Sequence, residues 1–461
     1  MKRTLRDAAT VVGGKLAADD RPYGAVATDS RTLQPGSLFV ALRGPTFDGG
    51  DFVAAAAARG AIGAIVERAV PHALPQIVVP NALRALQHLG QAWRGEFTIP
   101  IVAIGGSNGK TTAKEMTAAI LSRMGLCMAT HGNLNNHIGV PVTLMRLEDS
   151  HRSAVVEMGA NRIGDVAELV RLARPTVGLI TNAGAEHLEG FGNLDGVAQG
   201  EGEMVSCLDL AATAVINADD AYAGYWRKAA TARRVLTFGM HSNADFMAKN
   251  SAQTIERGEF ATSFTLTCPL GQRAISLRAG GAHNISNALA AAAAASAAGA
   301  SLEEIALGLA DFRAVSGRLQ LKAGARGSWI IDDSYNANPS SVRAGLEVLR
   351  SLPGATWLVL GDMAELGEFA EDSHAHMGAY ARDCGIKRLF AVGPQSSRAV
   401  ETFGSGAEWF ADTDSLTRRL QAELAPGVTV LVKGSRVNRL ERVVQALTGG
   451  GAGSGHMMRA S

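Results

Sequence analysis

The chain has 461 residues, with Lys+Arg 44 against Asp+Glu 43 and a formal net charge of +1. At about 100–200 residues per domain, this length predicts about three domains. The charge balance gives no global field that would attract nucleic acid or an anionic membrane surface, so neither is expected as a partner. A hydrophobic content of 47% with 19% charged residues is typical of a folded globular protein.

The cysteine pattern and the apolar stretches bear on the compartment. Four cysteines without a CxxC pair indicate neither a zinc ribbon nor a disulfide framework, and they fit a reducing compartment. The N-terminal residues show no signal-peptide pattern. The apolar stretch 289–300 is nearly all alanine and too short to cross a membrane, so it predicts a packed internal helix. We therefore expect a cytoplasmic protein without membrane insertion.

Residues 1–97 open with short β-like pieces at 24–28 and 37–42, on either side of the turn-forming Gln34-Pro35-Gly36. Short strands and turns of this kind predict a small mixed α/β domain.

The next segment, 98–315, carries apolar runs of strand length, and a helical pattern from Lys110 to Met124 follows the first of them. The runs lie at 98–104, 154–158, 177–181 and 214–217. Strands without polar alternation are covered on both faces, which predicts a central parallel sheet flanked by helices.

A second series of strand-like runs predicts a C-terminal Rossmann-like α/β domain over 316–448. These runs lie at 329–331, 357–360, 389–392 and 428–432. The Gly-rich residues 449–461 predict a flexible tail. The predicted fold class is therefore α/β with three domains.

The clearest chemical signal is the loop after the first central strand, Gly105-Gly106-Ser107-Asn108-Gly109-Lys110-Thr111-Thr112. In such a loop, backbone N–H groups and a helix N-terminus surround phosphate, while Lys110 reaches the outer phosphates and Thr111 can hold Mg²⁺. The full spacing would need glycine at 104, where Ile104 stands, so the loop is a shortened variant. The alternative is a glycine-rich turn that happens to carry a lysine.

Further candidates follow the neighbouring strands. Glu157 closes the second strand, at the end where ligands of parallel sheets collect, and Mg²⁺ takes one or two carboxylates. His187 follows the third strand and is either a metal ligand, a polar contact or structural. Asn284 and Asn287 begin the alanine-rich helix. Asn284 alone is explained by an N-cap, whereas the amide of Asn287 suits the edge of adenine.

Polar residues also gather after three strands of the C-terminal series, at 332–339, 361–367 and 433–436. Turn chemistry explains each set alone, but three sets at the same end of one sheet predict a site. No G-x-G-x-x-G follows these strands, which argues against a dinucleotide fold.

Together these residues resemble the ATP-dependent Mur ligases of peptidoglycan synthesis, over about residues 3–447. The resemblance is carried by Gly106-Ser-x-Gly-Lys-Thr-Thr112, Glu157, His187, His283-Asn-x-x-Asn287, Gly317-Arg318, Asp333 and Lys433-Gly-Ser. Within the family, the segments 332–339 and 360–367 are similar to members that use D-alanyl-D-alanine as the amine.

The resemblance implies that ATP phosphorylates the terminal carboxylate of UDP-N-acetylmuramoyl-tripeptide. The amine of D-alanyl-D-alanine then attacks the acyl phosphate, and ADP and phosphate leave. It implies a UDP-sugar-binding domain over 1–97, a P-loop ATPase domain over 98–315, and a ligase domain over 316–448. It also implies a monomer that closes on its nucleotide.

The resemblance assigns roles to individual residues. Lys110 holds the γ-phosphate, with Thr111 and Glu157 on one Mg²⁺ and His187 on a second. Asn287 contacts adenine, while Arg318 and Asp333 bring the C-terminal domain onto phosphate and ribose. The remaining assignments are Gly106, Ser107, Asn108, Gly109, Thr112 and Asn284 to ATP, Lys433 to catalysis, and Asp29, Ser30, Arg31, Asn136, Tyr335, Asn336 and Asn338 to substrate.

One position departs from the family. Members usually read Ala-Lys-Gly-Glu, with a carbamylated lysine near the metals, and here Gln199-Gly200-Glu201-Gly202-Glu203 stands. The lysine aligns with Glu201. Either Glu201 replaces it as a metal ligand, or Glu201 and Glu203 form a solvated acidic pair in a Gly-rich turn.

Two alternative functions stay open at the level of the sequence. A folylpolyglutamate synthase would share the phosphate loop and the Asn287 helix, but its usual Asp-Gly-Ala-His-Asn-Pro is replaced by Asp-Asp-Ser-Tyr-Asn. A non-enzymatic P-loop switch would need only the central domain. The sequence also leaves open whether the acceptor tripeptide ends in diaminopimelate or lysine.

Overall fold

The computed structural model describes residues 3–16, 18–231 and 233–449. Their helices and strands form three α/β units in chain order, each built around its own main sheet. The predicted α/β fold class with several parallel-sheet units is confirmed. Of the predicted tail, 450–461 lies outside the described residues.

The N-terminal unit has a five-stranded sheet in the order β2-β7-β6-β5-β4, parallel except for β2, and a two-stranded ribbon of β1 and β3. The two predicted β pieces become β4 and β5, which pair in parallel. Its strands are β1 (Arg3–Thr4), β2 (Lys15–Leu16), β3 (Pro22–Tyr23), β4 (Ala25–Ala27), β5 (Ser37–Val40), β6 (Gly63–Val66) and β7 (Gln76–Val78), and its helices are α1 (Leu5–Val12), α2 (Val53–Ala58) and α3 (Ala82–Arg94).

The central unit follows, with nine strands and eight helices among its described residues. The strands are β8 (Ile101–Gly105), β9 (Cys127–Ala129), β10 (Ser153–Glu157), β11 (Val177–Ile180), β12 (Thr213–Asn217), β13 (Arg234–Gly239), β14 (Phe246–Glu256), β15 (Glu259–Cys268) and β16 (Gly271–Leu277). The helices are α4 (Lys110–Leu121), α5 (Gly139–Leu144), α6 (Asp165–Ala173), α7 (Leu188–Phe191), α8 (Leu194–Ser206), α9 (Ala223–Ala229), α10 (Ala282–Ala297) and α11 (Leu302–Asp311).

The central sheet has the order β16-β15-β14-β13-β12-β11-β8-β10-β9. The four predicted apolar runs are β8, β10, β11 and β12, in the parallel part. Strands β15 and β16 add an antiparallel edge that the apolar runs did not predict. In β15, buried and more exposed positions alternate, because one face of this edge is open to water.

The alanine-rich helix α10 is internal, as predicted. Residues 290–295 are all alanine and almost fully buried against α4 and the sheet. Side chains this small let the backbones approach closely, so α10 brings its first turn near the phosphate loop. Within the described ranges, no helix is both long and apolar enough to cross a membrane.

The C-terminal unit has a six-stranded sheet in the order β17-β18-β22-β19-β20-β21, parallel except for β17. The four predicted runs are β18, β19, β20 and β22. Its strands are β17 (Gln320–Ala323), β18 (Trp329–Asp333), β19 (Ala355–Gly361), β20 (Arg388–Val392), β21 (Ala407–Phe410) and β22 (Val428–Lys433), and its helices are α12 (Pro339–Arg350), α13 (Ala370–Asp383), α14 (Ser397–Phe403), α15 (Thr413–Glu423) and α16 (Glu441–Leu447).

Candidate active site

The loop between β8 and α4 has the shape that its glycines predict. Gly106 and Gly109 adopt φ values of 111° and 84°, in the region that side chains other than glycine rarely enter. A Cβ on Gly109 would lie 2.2 Å from Oδ1 of Asn287, and a Cβ on Gly106 would lie 2.1 Å from Oγ1 of Thr181. The loop is therefore packed tightly between β11 and α10.

Lys110 points back across this loop. Its Nζ donates to the carbonyl oxygens of Gly106 (2.5 Å) and Ser107 (3.1 Å), and it lies 3.2 Å from Oε1 of Glu186. Burial alone would lower the pKa of Lys110, but the neighbouring carboxylates, Glu186 first among them, outweigh it and raise that pKa. The lysine is thus held charged inside the turn where phosphate would bind.

Glu201 lies directly beneath the phosphate loop. It is 1% exposed in helix α8, and its Oε2 accepts a hydrogen bond from the N–H of Gly106 at 2.6 Å. Burial raises the pKa of Glu201 to about 7, although the nearby Lys110 opposes the shift. The alternative of a solvated acidic pair in a Gly-rich turn is wrong. Glu201 is buried inside helix α8, and Glu203 accepts from the N–H groups of Gly164 and Ala167.

Glu157 ends β10, beside the strand that carries the loop. Its Oε1 accepts from Nδ2 of Asn135 at 2.9 Å, and Nζ of Lys114 is 3.9 Å from its Oε2. That Oε2 is buried without a hydrogen-bond partner. A buried carboxylate oxygen in this state fits a hard cation, so Thr111 and Glu157 are suited to hold Mg²⁺.

The four predicted metal ligands do not form one cluster. The described residues contain no group of three or more His, Cys, Asp or Glu side chains that could hold a metal ion. His187 instead meets the C-terminal unit, where its Nδ1 lies 2.6 Å from Oε2 of Glu365. Mg²⁺ on a nucleotide needs only one or two protein ligands, because water and phosphate oxygens supply the others.

The two asparagines of α10 are linked to each other. Nδ2 of Asn287 donates to Oδ1 of Asn284 at 3.2 Å, and Nδ2 of Asn284 donates to the carbonyl of Gly280 at 2.8 Å. The N-cap interpretation of Asn284 is wrong, since Gly281 occupies the cap and Asn284 lies inside the helix. The role of Asn287 at adenine stays a prediction.

The C-terminal unit reaches the same loop through Arg318. Its NH2 lies 3.4 Å from Oγ1 of Thr111, its Cζ lies 4.1 Å from the ring centroid of Tyr335, and its Nε is buried without a partner. Nearby, Nζ of Lys433 pairs with Oδ2 of Asp333 at 2.6 Å, and it also donates to the carbonyl of Asn336 at 3.0 Å. Arg318 therefore brings a cation from this unit to the phosphate loop.

Asn108 joins the phosphate loop directly to helix α12. Its Nδ2 donates to Oγ of Ser340 at 3.0 Å, and its Oδ1 accepts from Nδ2 of Asn338 at 2.9 Å. Asn338 also caps α12 by accepting from the N–H of Ser341. On the other side, Oδ1 of Asn182 accepts from the N–H of Asn108 at 3.1 Å. Asn338, predicted to contact substrate, is thus engaged with the loop.

The predicted substrate residues outside the C-terminal unit are not brought to this place. Asp29 and Arg31 form an ion pair at 2.7 Å in the N-terminal unit, and Arg31 lowers the pKa of Asp29 to about 2. Asn136 accepts from the N–H groups of Ile138 and Gly139 at the start of α5. Ser30 lies beside Asp29. Their roles stay predictions.

A cavity of about 550 Å³ lies between the central and C-terminal units. Thr111, Glu186 and His187 line one side, and Tyr335 and Glu365 line the other. Its size is within the range of small-molecule sites. The cavity therefore opens onto the phosphate loop and onto all three polar sets that the C-terminal sequence predicts.

Several side chains at this site were not singled out from the sequence. They are Lys114, Asn182, Glu186, Ser340 and Glu365. Glu365 stood inside a polar set already recognised at a strand end, and Glu186 directly precedes His187, so the positions of both were a usable signal. Ser340 gave no such signal in the sequence, because its partner Asn108 is 232 residues away.

Comparison with known proteins supports the family throughout the chain. Three family models match: "Mur ligase family, catalytic domain" at 22–94, "Mur ligase middle domain" at 104–295, and "Mur ligase, glutamate ligase domain" at 317–436. The UDP-N-acetylmuramoyl-tripeptide–D-alanyl-D-alanine ligase of Escherichia coli (strain K12) is 44% identical over 447 residues, which are 96% of this chain and 98% of the relative.

Solved structures agree with this. The structure of MurF from Acinetobacter baumannii matches with a TM-score of 0.92 at 32% identity, covering 97% of this chain and 99% of that one. The MurF ligase from Thermotoga maritima in complex with ADP matches with a TM-score of 0.82 at 26% identity, covering 92% and 97%. The chain belongs to the Mur ligase family.

Proposed function

We propose that this protein uses ATP to join D-alanyl-D-alanine to UDP-N-acetylmuramoyl-tripeptide through an amide bond, giving the pentapeptide precursor of peptidoglycan. One observation carries the proposal: the cavity beside Thr111 is also lined by residues of 332–339 and 360–367, including Tyr335 and Glu365. These two segments carry the resemblance to D-alanyl-D-alanine-using members. The name of the Escherichia coli relative gives the same two substrates.

The chemistry requires activation of a carboxylate, which has no leaving group of its own. Transfer of the γ-phosphoryl group from ATP to the tripeptide carboxylate gives an acyl phosphate, and ADP leaves. The amine of D-alanyl-D-alanine attacks the acyl carbon, loses a proton, and expels phosphate. Both steps develop negative charge on oxygens, so preorganised cations accelerate them and no protein nucleophile is needed.

Lys110 and Arg318 supply such cations from two different units. Lys110 is held across the phosphate loop by two carbonyls and Glu186, and phosphate oxygens would replace these partners. Arg318 stands beside Thr111 with an unpartnered Nε that remains available to a phosphate oxygen. Both charges therefore converge on the phosphate end of the cavity.

Thr111 and Glu157 are the residues that would hold Mg²⁺. When bound, the ion would neutralise charge on the phosphates and so favour transfer to the carboxylate. The role of His187 and Glu201 as ligands of a second ion stays a prediction, since each is engaged with a protein partner.

The N-terminal unit would bind the UDP-sugar, with Asp29, Ser30 and Arg31 as the assigned contacts. We propose that the enzyme acts in the cytoplasm and as a monomer. Closure of the C-terminal unit on ATP would complete the site, because its cations come from both units.

The experiment is phosphate release from ATP with purified protein, supplying each amine and each acceptor in turn. We expect release only when D-alanyl-D-alanine and the UDP-linked tripeptide are both present, with separate reactions for the diaminopimelate and lysine acceptors. L-Alanyl-L-alanine is the matched control. Release with glutamate and a folate instead would establish the folylpolyglutamate alternative and overturn the proposal.

A further inference from the structure

The wall of the cavity between the two units includes the guanidinium of Arg436, to which the proposed chemistry assigns no role. Arg436 follows β22 and begins a short turn of 3₁₀ helix, Arg436–Asn438. It is exposed and lines the cavity, and its Cζ lies 5.5 Å from the ring centroid of Tyr335. Arg318 approaches the same ring, so two positive charges share this wall.

Apart from Arg318 and Arg436, the charged side chains around the cavity are paired with each other or with a neighbouring charge. The pairs are Lys114 with Glu115 at 2.8 Å, Lys110 with Glu186 at 3.2 Å, and His187 with Glu365 at 2.6 Å. Arg318 adjoins Thr111 at the phosphate end. Among the residues that the structure describes, Arg436 is the cavity cation with no acidic side chain or hydroxyl within bonding distance. An anion arriving with a substrate would supply its partner.

The surroundings of Arg436 indicate what that anion is attached to. Ser435, the preceding residue, accepts from the N–H of Ala364 at 2.8 Å and donates to the carbonyl of Ala337 at 3.2 Å. Both alanines and Val437 line the cavity. Small apolar side chains next to a guanidinium suit a short peptide with methyl side chains and a free carboxylate, which a guanidinium can bind through two parallel hydrogen bonds.

We infer that Arg436 binds the C-terminal carboxylate of the dipeptide that serves as the amine substrate. This inference rests on the proposed function and names the specificity contact within it. Arg436 and Arg318 approach the same ring of Tyr335, and Arg318 reaches Thr111. An extended dipeptide of about 7 Å with its carboxylate at Arg436 therefore directs its amine towards the phosphate loop. Arg318 remains at the phosphate, and the two guanidinium groups divide the two anions between them.

The test compares D-alanyl-D-alanine with D-alanyl-D-alanine amide, in which the carboxylate charge is removed, for the wild-type enzyme and for Arg436→Gln. We expect the wild type to prefer the free acid in kcat/KM by about 10- to 100-fold, the range of a charge-assisted contact. Arg436→Gln should lose most of this preference through a higher KM for the free acid, while its KM for ATP stays within about twofold. Arg436→Lys should restore part of the preference.

The matched control is Arg442→Gln, because Arg442 is an exposed arginine on α16 that does not line the cavity. Equal discrimination by the wild type and Arg436→Gln would overturn the inference. A rise in the KM for ATP instead of the dipeptide would also overturn it, because Arg436 would then serve a phosphate. Failure of the wild type to ligate either dipeptide would refute the proposed function itself, which keeps the two failures distinct.

Discussion

Two contacts between the central and C-terminal units, among the residues that the structure describes, are built from different kinds of side chain. At the first, Phe260 from β15 is buried in the C-terminal core with Leu319, Ile331 and Val348. The turn before it passes beneath the ring of Trp329, where a Cβ on Gly258 would lie 3.4 Å from the indole. We call this place the apolar anchor.

The second place is polar throughout. The phosphate loop meets α12 through Asn108 and Ser340, and Thr111 meets Arg318. We call this place the polar edge, and it includes the pair of His187 with Glu365.

The two contacts should behave differently when ATP enters and ADP leaves. Buried apolar surface is costly to expose, whereas hydrogen bonds and ion pairs near solvent exchange for water at a small net cost. We therefore expect the apolar anchor to persist as a pivot while the polar edge opens and closes. Stability should depend on the first contact and catalysis on the second.

Removal of Lys110, in the phosphate loop that forms one side of the polar edge, should have the largest effect. We expect Lys110→Met to lower kcat/KM for ATP by about 10³-fold or more, since a preorganised charge at the transferred phosphoryl group is lost. It should cost some stability as well, because Glu186 loses its cation.

Phosphate release and circular dichroism together measure both effects for Lys110→Met. Lys249→Met is the control, an exposed lysine on β14. Turnover near the wild-type rate in a folded Lys110→Met protein would remove the nucleotide site from this loop.

Truncation at the apolar anchor should act on stability. We expect Phe260→Ala to lower the free energy of unfolding by about 3–5 kcal/mol through the cavity it leaves. Because the two units would then be held less firmly, a non-hydrolysable ATP analogue should stabilise this variant less than it stabilises the wild type. Urea denaturation with and without the analogue measures both quantities.

Phe403→Ala is the matched control for the anchor. Phe403 is buried in the same C-terminal core but does not cross between units. It should lose comparable stability and keep the full stabilisation by the analogue. Equal loss of nucleotide stabilisation in both variants would show that Phe260 is an ordinary core residue.

The region of the polar edge contains a buried acid, so it should respond to pH where the anchor does not. Burial raises the folded-state pKa of Glu201 to about 7, above the ordinary value of a glutamate side chain. The folded state therefore holds this proton more tightly, and its stabilising contribution is lost as pH rises from about 4.5 through 7.

Glu201→Gln should remove this dependence while keeping an acceptor for the N–H of Gly106. We expect the variant to be more stable than the wild type by about 1–3 kcal/mol at pH 8 and similar to it near pH 4.5. Thermal melting across that range measures the difference. A wild-type advantage that grows with pH would mean that Glu201 is held as the carboxylate.

The same variant tests the predicted metal role of Glu201. If Glu201 replaces the carbamylated lysine of the family, Glu201→Gln should need more Mg²⁺ for half-maximal turnover, and wild-type activity should not depend on added bicarbonate. An unchanged Mg²⁺ requirement would leave Glu201 with its contact to Gly106 alone.

How much could be predicted from the sequence depends on how far apart along the chain the interacting residues lie. The phosphate loop was predictable because glycine conformation and helix start are local, and the apolar runs predicted the parallel strands for the same reason. The antiparallel strands β15 and β16 were missed because their alternating pattern is weaker than a continuous apolar run. The burial of Glu201 was missed because its environment depends on Gly106, 95 residues away.

The smallest expected effect concerns the hydroxyl of Ser340. It accepts from Asn108 across the units and donates to Oδ1 of Asn338 within its own, both at 3.0 Å. Ser340→Ala removes the hydrogen bond from Asn108, which contributes about 1 kcal/mol and forms only when the polar edge is closed. We expect the KM for ATP to rise about three- to tenfold, with thermal stability in the absence of nucleotide unchanged. Ser397→Ala, which removes a hydroxyl bonded locally to Pro394, is the control and should change neither quantity.

In a double-mutant cycle with Asn108→Ala, the two substitutions should be non-additive by about 0.5–1.5 kcal/mol. Additive effects would mean that the contact between loop and helix contributes nothing to closure, and the distinction between anchor and edge would then rest on Arg318 and His187 alone.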